Sequence, residues 1–462
     1  MKPNIVFILV DDMGYGDFGR FNDGLTRTPA IDALCDQSVC LTQSYTGSPV
    51  CNPSRAALLT GRYPHRTGSI DTLEWRGLER LALREVTLAD RLRAEGYRTG
   101  LIGKWHLGAF DERYHPRKRG FDETVCFRGG MHDYWDWRIE WDAQPRKADG
   151  RYLTDVWTEE ACGFIERNAG GEEPFFLHLT YNAPHTPLQV PEAERQPWAD
   201  RDDLTEGVKT LYGMIARMDA GVGRVIETLD RCGVRDNTIL VFTSDNGPQF
   251  GGQGEKRLNR FNCHWNGAKG STYEGGIRVP LLIRWPDGLP GGTTCDRMVH
   301  FTDWVPTLLS LANIDRPTDG PAIDGIDVSA NLRGEDGEVC THRYWQWNRY
   351  SPVIASNAAV RDGDWKLVRP AIAETMAVPD IANLDISMYH PEHFIEHGVL
   401  GGEPPREVPA PPPAELYNLA EDPGERNNLA ETHPQKARAL LADLETWFQR
   451  VEADRQSITD TW

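Results

Sequence analysis

The sequence predicts an α/β fold: a large, mostly parallel central sheet between helices, then a smaller C-terminal antiparallel sheet with one helix. Three observations predict it. Short apolar runs alternate with helix-like stretches through the first two thirds of the 462 residues, the pattern of parallel strands joined by helices. Several of those runs are apolar on both faces, as strands buried between two helical layers must be. The texture changes after about residue 315, which divides the chain into a larger α/β domain over 1–315 and a smaller α+β one over 316–462.

In chain order, the clearest strands are 5–10 (IVFILV), 98–102, 175–181, 239–243 and 279–284. Helical patterns fall over 30–37, 88–95, 154–168, 208–231 and 304–312. Later, the strand-like segments 355–361 and 365–369 flank Asp362-Gly363-Asp364, the turn signal of a hairpin. Residues 370–414 show little periodicity and end in PAPPPAE, which reads as a long surface excursion. An amphipathic helix over 434–453 closes the tail, and no internal repeat is visible.

Hydrophobic residues make up 39% and charged residues 26%, a balance suited to a folded chain. A formal charge of −19 repels nucleic acid and anionic membranes, so neither is expected as a partner. An anionic substrate would need a local pocket of cations. The apolar run at 5–10 passes directly into Asp11 and Asp12, too short for a secretory h-region, and no later run is long enough to span a bilayer. A cytoplasmic protein is the expectation, although a periplasmic or secreted chain trimmed of its signal peptide would read the same. The nine cysteines are odd in number, scattered and without CxxC spacing, which argues against a disulfide framework or structural zinc.

In an open parallel sheet, ligands bind beyond the carboxyl ends of the strands. Asp11 and Asp12 follow the first strand, and Lys104 and His106 (GKWHLG) follow the second. His185 (NAPHTP) follows the third, and Asp245 and Asn246 (SDNG) follow the fourth. Three carboxylates and one amide oxygen make a hard ligand set, suited to Ca²⁺ or Mg²⁺ rather than zinc. Any one of these acids alone would read as a cap or turn residue. Two pairs at two strand ends, with bases nearby, read as a metal site.

In CNPSRAALLTGR, residues 51–62, Pro53 suits a first helical turn and good helix formers follow. Cys51 then sits at a helix N-terminus, where free amides and the dipole favour an anion. Arg55, one turn on, is in reach of the same anion. Read alone, Cys51 is either a small buried hydrophobe or a low-pKa thiolate nucleophile.

The whole string resembles the signature of the type I sulfatases, the formylglycine-dependent branch of the alkaline phosphatase superfamily. The resemblance extends through PNIVFILVDDMGYGD, GKWHLG, APHTP, SDNG, GAKGSTYEGGIRVP and ELYNLAEDPGERNNLA. It implies an alkaline phosphatase-like fold and hydrolysis of a sulfate ester, on a sulfated carbohydrate or an aryl sulfate. Cys51 matches the cysteine that a formylglycine-generating enzyme oxidises, and the resulting gem-diol would attack sulfur to give a covalent sulfo-enzyme. Asp11, Asp12, Asp245 and Asn246 match metal ligands, usually for calcium (Mg²⁺ or Mn²⁺ as alternatives), with position 51 completing the shell. Arg55 and Lys104 match cations that hold the formylglycine and sulfate. His106 matches the base acting on the remaining hydroxyl, and His185 with Lys269 the pair that binds sulfate and assists the leaving group. His132 is a candidate for a further hydrogen-bonding position.

Two competing functions are a phosphonate monoester or phosphodiester hydrolase of the same superfamily, and a sulfoglycan-binding relative without turnover. Retention of the cysteine and the ligands argues against the second. Trp135, Trp137 and Trp141, with Trp345 and Trp347, read either as sugar-stacking surfaces, with Arg349 free for a second anion, or as strands packing on a core. The basic run 113–121 reads as a solvated loop more readily than as a steering patch. His178, inside a strand, reads as a core histidine.

Overall fold

The computed structural model describes residues 2–318 and 320–459. Its main sheet has ten strands, and four parallel ones form the centre in the spatial order Thr238–Ser244, Asn4–Val10, Phe175–Thr180 and Arg98–Lys104. Apart from exposed Arg98, every residue of these four strands is buried. That two-sided burial is the physical reason the runs carry no polar alternation.

Val6, Ile8 and Val10 face a layer that includes the helices Leu153–Asn168 and Glu206–Arg231. Ile5, Phe7 and Leu9 face the layer of Cys51–Thr60, Leu88–Ala94 and Trp304–Leu311. Burying so many aliphatic side chains on two faces, at roughly 1.5–3 kcal/mol each, is the main stabilising term.

The second sheet is antiparallel, in the order His342–Gln346, Ala358–Asp362, Trp365–Arg369 and Glu415–Asn418. The helix Pro434–Gln456 covers it through Leu440, Leu444, Trp447, Phe448 and Val451.

Two expectations are corrected. The run ending at Arg284 forms the strand Leu281–Arg284, antiparallel to Thr238–Ser244 rather than parallel. The chain returns through a loop holding the 3-10 turn Gly254–Lys256 and the one-turn helix Glu274–Ile277, and without a longer crossover helix it arrives running backwards. Residues 370–414 are not a structureless excursion. They contain the short helices Ala373–Met376, Asn383–Tyr389 and Glu392–His397 and fold back over the carboxyl edge of the main sheet. Asp380 ties them down by accepting from Trp75 Nε1 at 2.8 Å, Arg76 Nε at 2.9 Å and the Tyr350 hydroxyl at 2.5 Å. Strands too short for a periodic signal, such as Val39–Leu41 and Arg138–Trp141, extend the sheet outward.

Candidate active site

Because the four central strands are adjacent and parallel, the residues that follow them gather at one edge. Lys104 Nζ donates to Asp11 Oδ2 at 2.5 Å. Arg55 donates to Asp245 Oδ2 through Nε at 2.9 Å and to the Lys104 carbonyl through Nη1 at 3.2 Å, and its Nη2 lies 2.8 Å from Asp245 Oδ2 as an ion pair. Lys269 Nζ reaches Asp12 Oδ1 at 2.7 Å and Oδ2 at 2.8 Å, and Asn246 Nδ2 donates to Asp12 Oδ1 at 2.7 Å. His185 Nε2 lies 3.7 Å from Asp12 Oδ2, while its Nδ1–H donates to the Thr186 carbonyl at 2.7 Å. A carbonyl only accepts, so the proton sits on Nδ1 and the Nε2 lone pair faces the site.

Cys51 is the first residue of Cys51–Thr60, is 3% exposed, and follows extended Val50, whose side chain does not cap the helix. Cys51 therefore stands at the positive end of this helix, where Lys104 and Lys269 also exert their pull. Asp12 (φ 67°) and His106 (φ 56°) hold left-handed backbone, a conformation that costs a non-glycine residue roughly 1 kcal/mol or more and concentrates at functional sites.

Burial works against the Asp11 charge, but Lys104, His185 and Arg55 outweigh it and hold the carboxyl below the usual range. Burial also opposes the Lys269 charge, yet Asp12 and neighbouring groups raise that ammonium above its ordinary value. Burial, then Lys104 and Arg55, push His106 well below an ordinary imidazole, so its ring is neutral. Burial pushes the Cys51 thiol up, against the pull of Lys104 and Lys269. That direction is opposite to what a resting thiolate nucleophile requires.

The fit for a hard cation rests on orphaned oxygens. Asp11 Oδ1 and Asn246 Oδ1 are buried with no hydrogen-bond partner among the described residues. Ligand atoms of Asp11, Cys51 and Asp245 lie within 4.8 Å of one another, as do those of Asp11, Asp12 and His185. Asp11, Asp12, Asp245 and Asn246 can therefore hold Ca²⁺ or Mg²⁺ beside position 51.

Above this floor opens a cavity of about 440 Å³, walled by Glu74, Trp75, Phe250, Trp347, Arg349 and Met376 among others. Arg349 stacks 4.9 Å over the Trp347 ring and donates to Asp71 Oδ1 at 2.9 Å and Thr72 Oγ1 at 2.7 Å. Its charge is therefore partly spent. Trp137 and Trp345 are core residues, each 1% exposed with its indole N–H on a backbone carbonyl, whereas Trp135 is 40% exposed. His132 accepts from Asp133 N at 2.9 Å and its Nε2 lies 2.7 Å from the Arg138 carbonyl, which pins its ring inside its own loop. In the basic run, Arg113 pairs with Asp111, and Arg119 is buried against backbone carbonyls. His178 lies in the core, stacked on Phe121 and Phe176 and edge-on to Phe7.

Asp17, Arg260 and Glu74 are three contributors not singled out from the sequence. Asp17 grips Arg260 through both oxygens, and Arg260 Nη2 reaches the Asp12 carbonyl at 3.5 Å, buttressing the turn that aims Asp12. The Asp17 signal was its place at the end of DDMGYGD. Glu74, in the cavity wall beside His106, stands in TLEWRG, which has no pattern to mark it.

A parallel sheet between helical layers, with carboxylates and cations converging on a helix-leading cysteine at its carboxyl edge, defines an alkaline phosphatase-like protein. The sulfatase family model matches residues 3–314, and that of the N-sulphoglucosamine sulphohydrolase C-terminal region matches 264–381. The chain is 34% identical to N-acetylgalactosamine-6-sulfatase of Sus scrofa, over 72% of this chain and 66% of that one, just under two thirds of the relative's length. It is 31% identical to steryl-sulfatase of Mus musculus, over 95% of this chain and 80% of that one. The solved structure of Ps i-CgsB in complex with k-i-k-neocarrahexaose superposes with a TM-score of 0.80 at 30% identity, covering 99% of this chain and 94% of that one. The chain belongs to the sulfatase family.

Proposed function

We propose that the chain is a sulfuric ester hydrolase that removes sulfate from a sulfated carbohydrate, using Cys51 as the precursor of its nucleophile. The observation that carries this reading is the convergence of Arg55, Lys104 and Lys269 on the region around buried Cys51, in a protein of formal charge −19. A sulfate ester is shielded by its own negative oxygens, and a preorganised cluster of cations withdraws that charge. When bound or formed, a divalent cation (Ca²⁺, or Mg²⁺ or Mn²⁺) and the hydrated formylglycine made by a separate maturing enzyme supply further charge withdrawal and the attacking oxygen.

The chain's own groups divide the remaining work. Lys104 and Arg55 order the carboxylates and, with Lys269, neutralise the sulfate. His185, with Nδ1–H fixed on Thr186, presents Nε2 to the site; once protonated there it would, with Lys269, donate to the departing leaving-group oxygen. His106, neutral and buried, takes a proton at position 51.

A saccharide suits the cavity because a few polar groups (Thr72, Glu74, Gln249 and Arg349) stand among Trp75, Phe250, Trp347, Met376 and Leu384. The names of the relatives point the same way, two of the three referring to saccharides. Among the described residues no helix is long and apolar enough to cross a membrane.

The test joins mass spectrometry to turnover. Active protein should carry Cys51 about 18 Da lighter, –CH2SH having become –CHO, in proportion to its activity on sulfated sugars and 4-nitrophenyl sulfate. Full activity with unmodified Cys51 overturns the nucleophile. Faster turnover of phosphonate monoesters than of sulfate esters overturns the substrate.

A further inference from the structure

Glu74 lies against His106 without belonging to the cation floor. Its Oε1 is 3.8 Å from His106 Nε2, with side chains 6% and 1% exposed. Both His106 ring nitrogens are buried and have no hydrogen-bond partner among the described residues. The Gly130 N–H donates to Glu74 Oε1 and fixes the carboxylate in place. Gly130 is also what admits the contact. A Cβ there would fall 2.6 Å from His106 Cε1 and Nε2 and 2.9 Å from Glu74 Oε1.

We propose that Glu74 is a positioning residue for His106: its carboxylate keeps the imidazole in its working orientation and stabilises the imidazolium formed during turnover. Once position 51 carries the sulfated diol, its remaining hydroxyl would give its proton to a ring nitrogen of His106 as the C=O bond forms and the C–O bond to sulfate breaks, releasing sulfate. Burial pushes the Glu74 carboxyl up from 4.5 to about 7, opposed by the Gly130 N–H and by Lys104, so the ion pair forms while His106 is protonated and Glu74 carries its charge. A buried carboxylate and imidazolium at this distance attract strongly, because little water screens them. Oriented carboxylates play this part for histidine bases in other hydrolases. The inference rests on the sulfatase reading above.

The test compares matured, metal-loaded wild type with Glu74→Gln and Glu74→Asp on 4-nitrophenyl sulfate. Glu74→Gln should lower kcat about 10–100-fold, with KM held within about threefold. Release of about one equivalent of 4-nitrophenol should precede the slow phase, because His106 acts after the leaving group has gone. Glu74→Asp should recover part of kcat. An unchanged kcat, or a loss confined to KM, overturns the proposal.

An independent arm uses histidine ring-nitrogen NMR at fixed pH, on protein with unconverted Cys51 and without metal, the His106 signals being assigned by their loss in His106→Ala. These signals should move in Glu74→Gln, and signals identical to wild type overturn the contact. Wild type inactive on every sulfate ester refutes the sulfatase reading instead, and the NMR arm still decides whether Glu74 positions His106.

Discussion

Lys269 holds both carboxylate oxygens of Asp12, at 2.7 and 2.8 Å, across 257 residues of sequence. The contact closes the loop after Thr238–Ser244 onto the turn after Asn4–Val10, and it keeps an ammonium at the cavity floor. Replacing Lys269 with Met keeps much of the stem and removes the charge. kcat/KM on sulfate esters should fall roughly 10²–10³-fold, the usual cost of one charge-stabilising donor. Steady-state kinetics on 4-nitrophenyl sulfate checks this, and a loss below tenfold would remove Lys269 from the sulfate-binding set.

Asp11, Asp12 and Asp245 crowd three carboxylates around the orphaned oxygens of Asp11 and Asn246. A divalent cation that binds only the folded state should raise Tm with concentration, by roughly 2.7 kcal/mol of stability at 100 times Kd. Thermal unfolding with EGTA and then with added Ca²⁺ measures this, and Asp245→Asn should abolish most of the shift. Activity should fall with chelation and return with the metal.

Trp347 walls the cavity under the stacked Arg349. Trp347→Ala should raise KM for sulfated oligosaccharides about tenfold, the worth of one aromatic contact of roughly 1.5 kcal/mol. Turnover of 4-nitrophenyl sulfate, which has no sugar ring, should change much less. Equal losses on both substrates would place Trp347 in the scaffold rather than in recognition.

Glu79 is buried with Oε1 accepting from Ala109 N at 3.0 Å and Oε2 unpartnered, and burial pushes its carboxyl from 4.5 up to about 7. The folded state therefore holds a proton that the unfolded chain releases near pH 4.5, and the stability tied to this group is lost as pH rises to about 7. Glu79→Gln carries the neutral form permanently. It should match wild type within about 1 kcal/mol at pH 4.5 and exceed it by up to roughly 3 kcal/mol at pH 8, by denaturant unfolding. A difference that does not grow with pH would show that Glu79 is ionised in the fold.

Much of the main fold is legible in the sequence because two-sided burial leaves unbroken apolar runs, and four of these became the adjacent central strands. The helix at Cys51 follows from Pro53 and the helix formers after it. Each acid and base read from the sequence stands at or just after a strand end or within a distinctive string, whereas Glu74 carries no such mark. The short outer strands gave no comparable signal, since three or four residues cannot show a period.

The sequence by itself determined the layered α/β class and the residues that gather at one edge of the sheet, because burial on two faces is written into each run and helical crossovers between runs set the four central strands parallel. Tertiary structure alone decided which residues surround that edge. The direction of Leu281–Arg284 depended on the absence of a crossover helix. The placement of Trp347 and Arg349 in the cavity, with Trp137 and Trp345 in the core, depended on which elements packed against each strand. Glu74 meets His106 only because Gly130, 56 residues away, supplies an N–H and leaves room for both side chains. No sequence period encodes a three-way contact of that kind, since it exists only once the strands have set the distances.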